Sequence, residues 1–324
     1  MPRQARHAGI LAMLVLPSAV SCTDLQLARY RDDRFLASHR YRLGEQFAEV
    51  DGLRLCYQES GAGPPVVILP GLGTSIDYWQ LNIPVLAEKC HVLALDPPGL
   101  GKSDKPDASY DLLWTCDRIA SFLSAKGISR TSLIGGSMGG HLGMLLALTR
   151  PQLVDKLVLM GSSGTWDPPG VLLAAALKTL WNEAVIIDHI RRNWSDIYGR
   201  LFVRQTPVTR ELLRYQMALR ADGPRYAPEG RAFARALRSI FFHSCKDRLG
   251  EIGIPVLLIW GEHDQVHPPS TALLLRDRLP DARLAIVPDS GHEVMIDQTE
   301  VFNRLVLAFL EEGTPAVSHS SPSR

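Results

Sequence analysis

Ser137 stands in Gly135-Gly136-Ser137-Met138-Gly139-Gly140, directly after the apolar, β-favouring run Thr131-Ser132-Leu133-Ile134. Leu142, Met144, Leu145, Leu146, Ala147 and Leu148 follow and can continue as an apolar helix. Strand, sharp turn and helix around Gly-x-Ser-x-Gly make a nucleophile elbow, with the hydroxyl held out at a strand's C-terminal end. So tight a turn drives the serine towards φ > 0 and crowds its own backbone, which accounts for Gly135 and Gly139 on either side. A hydroxyl is a poor nucleophile at neutral pH and needs a base within reach. Asp264, in Gly261-Glu262-His263-Asp264, and His292, in Ser290-Gly291-His292, also fall at the ends of apolar runs. The order Ser, Asp, His is the one expected for this elbow. His292 would take the Ser137 proton and return it to the leaving group, a contribution on the order of 10²–10⁴-fold. Asp264 would hold the proton on the other ring nitrogen and so fix the tautomer. The backbone amides of Leu72 and Met138 would receive the oxyanion, one such donor being worth about 10²–10³-fold.

Other residues compete for these roles. His91 reads as a strand-edge residue, His141 as packing under the elbow or lining a pocket, and His263 and His267 as flanking the proposed acid. None follows a Ser-Gly at a terminal strand end, so His292 is the base. Asp289 is near His292 but precedes it in a turn unsuited to orienting the ring. Trp79, Trp166, Trp181 and Trp194 are candidates for an acyl pocket, with core packing the default for any one of them.

The elements that must position this set can be read in order. Residues 47–50 and 53–57 form a hairpin about Asp51-Gly52, a pair that supplies φ > 0. Val66-Val67-Ile68-Leu69 is a continuous apolar run of the kind buried on both faces of a parallel sheet. It leads into Pro70-Gly71-Leu72-Gly73-Thr74-Ser75 and an amphipathic stretch through Trp79, Leu81, Ile83, Val85 and Leu86 that reads as a helix, so the glycine-rich loop lies between a buried strand and a helix. The strand His91-Val92-Leu93-Ala94-Leu95 ends in Asp96-Pro97-Pro98-Gly99-Leu100-Gly101-Lys102-Ser103. Its Gly-Lys-Ser is no phosphate loop, since Pro97 occupies the first glycine position and no helix follows at once. A helix at 112–126, strands at 157–160, 255–260 and 282–287, and helices at 271–279 and 302–310 complete an alternating pattern. Residues 165–246 break it, with helical patches at 172–181, 184–194, 211–219 and 231–242 and no convincing strand. Their eleven Arg and two Lys face seven acids, most simply as solvated helix faces, with attraction to anionic substrates or a phospholipid surface as the alternative.

These motifs, spaced from about Phe47 to Leu310, resemble the α/β-hydrolase family of the serine type. The resemblance implies an α/β fold with a mostly parallel eight-stranded sheet and a helical cap inserted after the sixth strand. The chain divides accordingly into core segments 45–164 and 247–312 around a cap at 165–246. Many relatives carry His-Gly where this chain has Pro70-Gly71, a difference that touches loop packing more than a backbone donor. Haloalkane dehalogenases and typical epoxide hydrolases of the fold carry Asp at the elbow, and Ser137 argues against both. The function expected first is hydrolysis of a small-molecule carboxylic ester or lipid, lipase-like, with no metal or organic cofactor. A carbon–carbon bond hydrolase of vinylogous diketones, which shares the elbow and cap, stays open. So does a membrane-tethered binding protein without turnover.

The 324 residues carry a formal charge of +1, with 46% hydrophobic and 21% charged residues. This is a globular composition with no overall pull towards nucleic acid. Residues 1–22 read as a signal peptide: Arg3, Arg6 and His7 precede an apolar run from Ala8 to Leu16, too short for the roughly 20 residues of a membrane span. Cys22 after Ala19-Val20-Ser21 resembles a bacterial lipoprotein box, with Ala19 in place of the usual leucine. The expectation is export from a bacterial cell, to the periplasm or to a membrane through lipidated Cys22, with residues 23–44 as a charged arm and 313–324 as a disordered tail. Cys56, Cys90, Cys116 and Cys245 lack metal-site or redox-pair spacing; Cys56 and Cys90, in or beside strands, read as small buried hydrophobes, and a disulfide among the four stays open after export to an oxidising compartment.

Overall fold

The computed structural model describes residues 44–166, 182–221 and 223–312. The signal segment with Cys22, nearly all of the charged arm, the helical patch at 172–181 and the tail lie outside the described residues.

The chain opens with the hairpin β1 (Gln46–Val50) and β2 (Leu53–Ser60), joined by Asp51 at φ 50° and Gly52 at φ 75°. Two positive φ values are what a tight two-residue hairpin turn requires. Six further strands follow: β3 (Pro65–Leu69), β4 (His91–Leu95), β5 (Thr131–Gly136), β6 (Val154–Met160), β7 (Val256–Gly261) and β8 (Ala282–Val287). They form one eight-stranded sheet in the order β1-β2-β4-β3-β5-β6-β7-β8. The pairings of β1 with β2 and of β2 with β4 are antiparallel; all others are parallel. This is the mostly parallel α/β sheet expected from the alternating pattern.

Strands β3 to β7 are almost wholly buried because helices cover both faces. One apolar layer gathers Leu69, Leu133, Leu142 and Leu157 on one side of the sheet, and the other gathers Ile68, Ile134, Val158 and Phe302. Fully burying side chains of this kind is worth about 1.5–3 kcal/mol each. The covering helices of the core are α1 (Ile83–Leu86), α2 (Leu112–Ala125) and α3 (Met138–Thr149) before the cap. Asp111 caps α2 by accepting from the Leu113 amide, and Gly127 at φ 69° follows its end.

Between β6 and β7 come α4 (Glu183–Gly199), α5 (Pro207–Ala221) and α6 (Gly223–Phe242). These three helices pack on one another and over the C-terminal edge of the sheet, with Trp194 and Phe233 reaching the loop after β3. The fold closes with α7 (Pro269–Arg278), α8 (Val294–Asp297) and α9 (Thr299–Glu311).

One local expectation changes. The amphipathic stretch after Ser75 is not one helix but a 3₁₀ turn at Ile76–Trp79 followed by the single turn α1. Asn82, at the cap of α1, spends its amide on Met295 O (3.1 Å) and Asn303 Oδ1 (2.8 Å) rather than on capping. The segment is thereby tied to α8 and α9 instead of running on as a helix.

Candidate active site

The elbow is built as its sequence requires. Ser137 sits at φ 51°, ψ −114° between β5 and α3. Such a residue costs about 1–3 kcal/mol and persists only where its surroundings fix it. Here the Ser137 amide donates to Met160 O (2.9 Å), while its carbonyl accepts from the amides of His141 and Ser163 (both 3.2 Å). The crowding is severe: a Cβ on Gly139 would lie 2.0 Å from Leu69 O, and one on Gly135 2.3 Å from the Gly140 amide.

Asp264 and His292 meet beyond the ends of β7 and β8. His292 Nδ1 lies 2.8 Å from Asp264 Oδ2, and both residues are buried. The other carboxylate oxygen, Oδ1, accepts from the amides of Val266 and His267, each at 2.8 Å. The Trp260 indole in turn donates to His267 O at 2.7 Å and holds that loop. Beneath the pair lies the end of β6, where a Cβ on Gly161 would come within 2.9 Å of the His292 ring. Burial works to lower the His292 pKa, but the charge and hydrogen bond of Asp264 outweigh it and hold the imidazole above its usual value.

The loop after β3 supplies the third part. The Thr74 amide and hydroxyl both donate to Gly71 O, folding the loop back on itself. Among the described residues the amides of Leu72 and Met138 donate no hydrogen bond. Two unspent amides, one opening α3 directly after Ser137, offer donors to a developing negative charge. The loop is held from below by Asp96, whose carboxylate accepts from the amides of Ile76 (2.8 Å) and Lys102 (3.0 Å). Burial pushes the Asp96 carboxyl up to about 6. Lys102 itself pairs with Glu45 and Asp77, so the Gly-Lys-Ser segment serves the fold.

Ser137 and His292 open onto one cleft of about 740 Å³, counting the part open to solvent. The core side contributes Gly71 and Leu72; the cap side contributes Trp194, Ile197, Leu201, Phe233 and Leu237. The Arg220 guanidinium stacks on Trp194, 3.8 Å from the ring centroid, and is itself fully buried. A desolvated cation over an indole is worth about 2 kcal/mol or more and stiffens this wall.

The remaining candidates separate cleanly. Trp166 and Trp194 line the cleft, Trp79 packs in the core against Phe302 (5.8 Å between centroids), and Trp181 lies outside the described residues. His91 pairs with Glu59 at 2.7 Å, His263 is exposed, and His141 is buried beside Ser163 at 3.4 Å with its pKa pushed down to about 3. Asp289 is exposed at φ 50°. The four described cysteines are buried free thiols.

Three groups had not been singled out for the site. His267, read only as flanking Asp264, lines the cleft with its ring centroid 5.4 Å from that of His292, and burial drives its pKa down to about 3. Glu293, the residue after His292, also lines the cleft, and burial raises its carboxyl to about 7. Asp297 accepts from the amides of Gly291 (2.8 Å), Val203 (2.9 Å) and Arg204 (3.1 Å), joining the His292 loop to the chain leaving α4. Adjacency to His292 was the available signal for Glu293; nothing local marks Asp297.

The sheet, the elbow and the inserted helices define an α/β hydrolase, and the chain belongs to the alpha/beta hydrolase fold family, which it matches over residues 64–299. It is 32% identical over 274 residues to 2-hydroxymuconate semialdehyde hydrolase of Pseudomonas sp. strain CF600, covering 82% of this chain and 93% of that protein. Among solved structures it is similar to a bacterial membrane phospholipase A described as a virulence factor, at 30% identity and a TM-score of 0.71, covering 85% of this chain and 90% of the other. It is also similar to a meta-cleavage product hydrolase from Pseudomonas fluorescens IP01, at 26% identity and a TM-score of 0.67, with 82% and 97% covered.

Proposed function

We propose that this hydrolase cleaves uncharged carboxylic esters through an acyl-enzyme on Ser137, with His292 as base and Asp264 as its orienting acid. The observation that carries the reading is the 2.8 Å His292–Asp264 pair opening onto the same apolar cleft as the strained Ser137. In the first half-reaction His292 Nε2 takes the Ser137 proton as Oγ attacks the ester carbonyl. The oxyanion is received by the Leu72 and Met138 amides, and the imidazolium gains from Asp264. His292 then protonates the departing alcohol. A water, deprotonated by the same nitrogen, releases the acid in the second half-reaction. The apolar cap wall suits a hydrocarbon acyl chain.

The test is a panel of nitrophenyl acyl esters together with a fluorophosphonate probe. Ester turnover and probe labelling, both abolished by Ser137→Ala, are expected. Inert esters with an unlabelled Ser137 would sink the reading.

The second reading is a carbon–carbon bond hydrolase, favoured by the names of several relatives, such as the 2-hydroxy-6-oxo-6-(2'-aminophenyl)hexa-2,4-dienoic acid hydrolase of Metapseudomonas resinovorans. A dienoic acid brings a carboxylate into the cleft. Among the described residues lining it none is Lys or Arg, and Glu293 is present. Burying a charge without a partner is costly, which ranks the uncharged ester first. Turnover of vinylogous diketone acids with inert esters would reverse that order.

The proposal includes export and attachment to a membrane through lipidated Cys22, supported by the charged and apolar segments before it. Cys22→Ala is expected to move the protein from the membrane to the soluble fraction of fractionated cells.

A further inference from the structure

The cleft beside Ser137 holds more polar groups than the acyl transfer requires, and they differ in how far they are already engaged. The Thr74 hydroxyl is spent on Gly71 O, and Ser163 Oγ faces His141 Nδ1. Glu293 is only 4% exposed, lines the cleft, and its carboxyl makes no hydrogen bond among the described residues. Neither of its oxygens is sealed off from the cleft, so the carboxyl's partner is whatever occupies the cleft, water or a bound substrate.

Its place in the chain restricts what that can be. His292 must deliver its proton to the oxygen of the departing alcohol, so the alcohol half of the ester lies against His292 when the tetrahedral intermediate collapses. The carbonyl oxygen lies towards the Leu72 and Met138 amides, on the side of the loop after β3. The residue next to His292 in the same cleft is therefore placed towards the alcohol rather than the acyl chain. We propose that Glu293 selects the leaving group, hydrogen-bonding a hydroxyl on the alcohol half, so that the favoured substrates are esters of a neutral polyol of the glycerol type rather than of a simple alkyl alcohol. This rests on the ester reading above.

A hydroxyl fits because it both donates and accepts. It can pair with the carboxyl protonated or ionised, and Glu293 titrates near neutrality. A leaving group bearing a phosphate or carboxylate would meet Glu293 and find no cation among the described lining residues. Leu201 and Val266, which also line the cleft, offer a bare alkyl alcohol only hydrocarbon contact and leave the Glu293 carboxyl unpaired.

The experiment compares esters that share one acyl group: glyceryl monobutyrate, ethyl butyrate and butyrylcholine, assayed with purified full-length protein, Glu293→Gln and Glu293→Leu. The expected result is a wild-type kcat/KM at least tenfold higher for the glyceryl than for the ethyl ester. That ratio is expected to fall at least tenfold in Glu293→Leu and to stay within threefold in Glu293→Gln, which keeps a donor and an acceptor. A ratio near one in the wild type overturns the proposal even if the leucine variant does not fold. Equal losses on both esters would mean a structural role, and a loss in Glu293→Gln confined to butyrylcholine would mean that a cation is read; either overturns it. No turnover of any ester would instead defeat the ester reading itself.

Discussion

Replacing Asp264 by Asn tests the site most sharply, because the two oxygens of this carboxylate have different partners. Oδ1 accepts from the Val266 and His267 amides, whereas Oδ2 faces His292 Nδ1. An asparagine that keeps both backbone bonds must put its oxygen at the Oδ1 position and its NH₂ towards His292. Flipping it would set an NH₂ against two amide donors and leave them unsatisfied, at about 1–3 kcal/mol each. The unflipped form then dominates by an order of magnitude or more. Its NH₂ donates to Nδ1 and traps the tautomer whose proton is on Nε2, the nitrogen that must accept from Ser137. A loss of about 10⁴-fold in kcat follows, equivalent to about 5 kcal/mol of transition-state stabilisation, with KM little changed. The assay is steady-state hydrolysis of a short-chain nitrophenyl ester, with circular dichroism to confirm the fold. A folded Asp264→Asn variant within tenfold of wild type would refute the assignment of His292 as base oriented by Asp264.

Other expectations follow from single contacts. Gly139→Ala places a Cβ 2.0 Å from Leu69 O and should cost well over 2 kcal/mol in urea unfolding, whereas Gly250→Ala, with nothing within 4 Å, should stay within about 0.5 kcal/mol. The Glu293 carboxyl is raised from 4.5 to about 7, so the folded state keeps a proton that the unfolded state has lost between those values. Its contribution is present below about pH 4.5 and is lost as pH climbs to about 7. Glu293→Gln should accordingly gain stability over wild type between pH 5 and 8, by up to about 3 kcal/mol, as read by urea unfolding at each pH. The same change removes a negative charge that holds up the His292 pKa, and the rising limb of kcat/KM should move to lower pH; an unmoved limb would mean that Glu293 and His292 titrate independently. Asp96→Ala frees the Ile76 and Lys102 amides beneath the loop after β3, and kcat should fall at least tenfold while fluorophosphonate still labels Ser137.

Much of this geometry could be read in the sequence because it depends on local chemistry. Asp51-Gly52, Gly127 and the glycines about Ser137 sit where the backbone turns sharply, and those turns fix the ends of β1, α2 and β5. Asp264 and His292 are recognisable because each follows a strand, the buried β7 and the half-exposed edge strand β8, and parallel strands bring such ends to one edge. The broken stretch at 76–86 was not readable, since it depends on Asn82 finding Met295 and Asn303 more than two hundred residues away. Nor was the cleft, whose wall exists only when α4 and α6 dock over the loop after β3. His267 and Glu293 carry no local signal of burial, because their environment comes from the cap and from each neighbouring loop.

Asp297 makes the cap and the base an interlock. One carboxylate holds the amides of Val203 and Arg204, where the chain leaves α4, and that of Gly291, next to His292. Any movement that drew Val203 and Arg204 away from Asp297 would also loosen the loop that carries His292, and with it the alignment that proton transfer needs. A lifted cap would widen the cleft at the cost of this alignment, which the docked arrangement keeps. An ester too bulky for the docked cap would then be turned over slowly, whatever the reactivity of its carbonyl. Size discrimination of this kind appears in kcat, where pocket contacts alone would have placed it in KM.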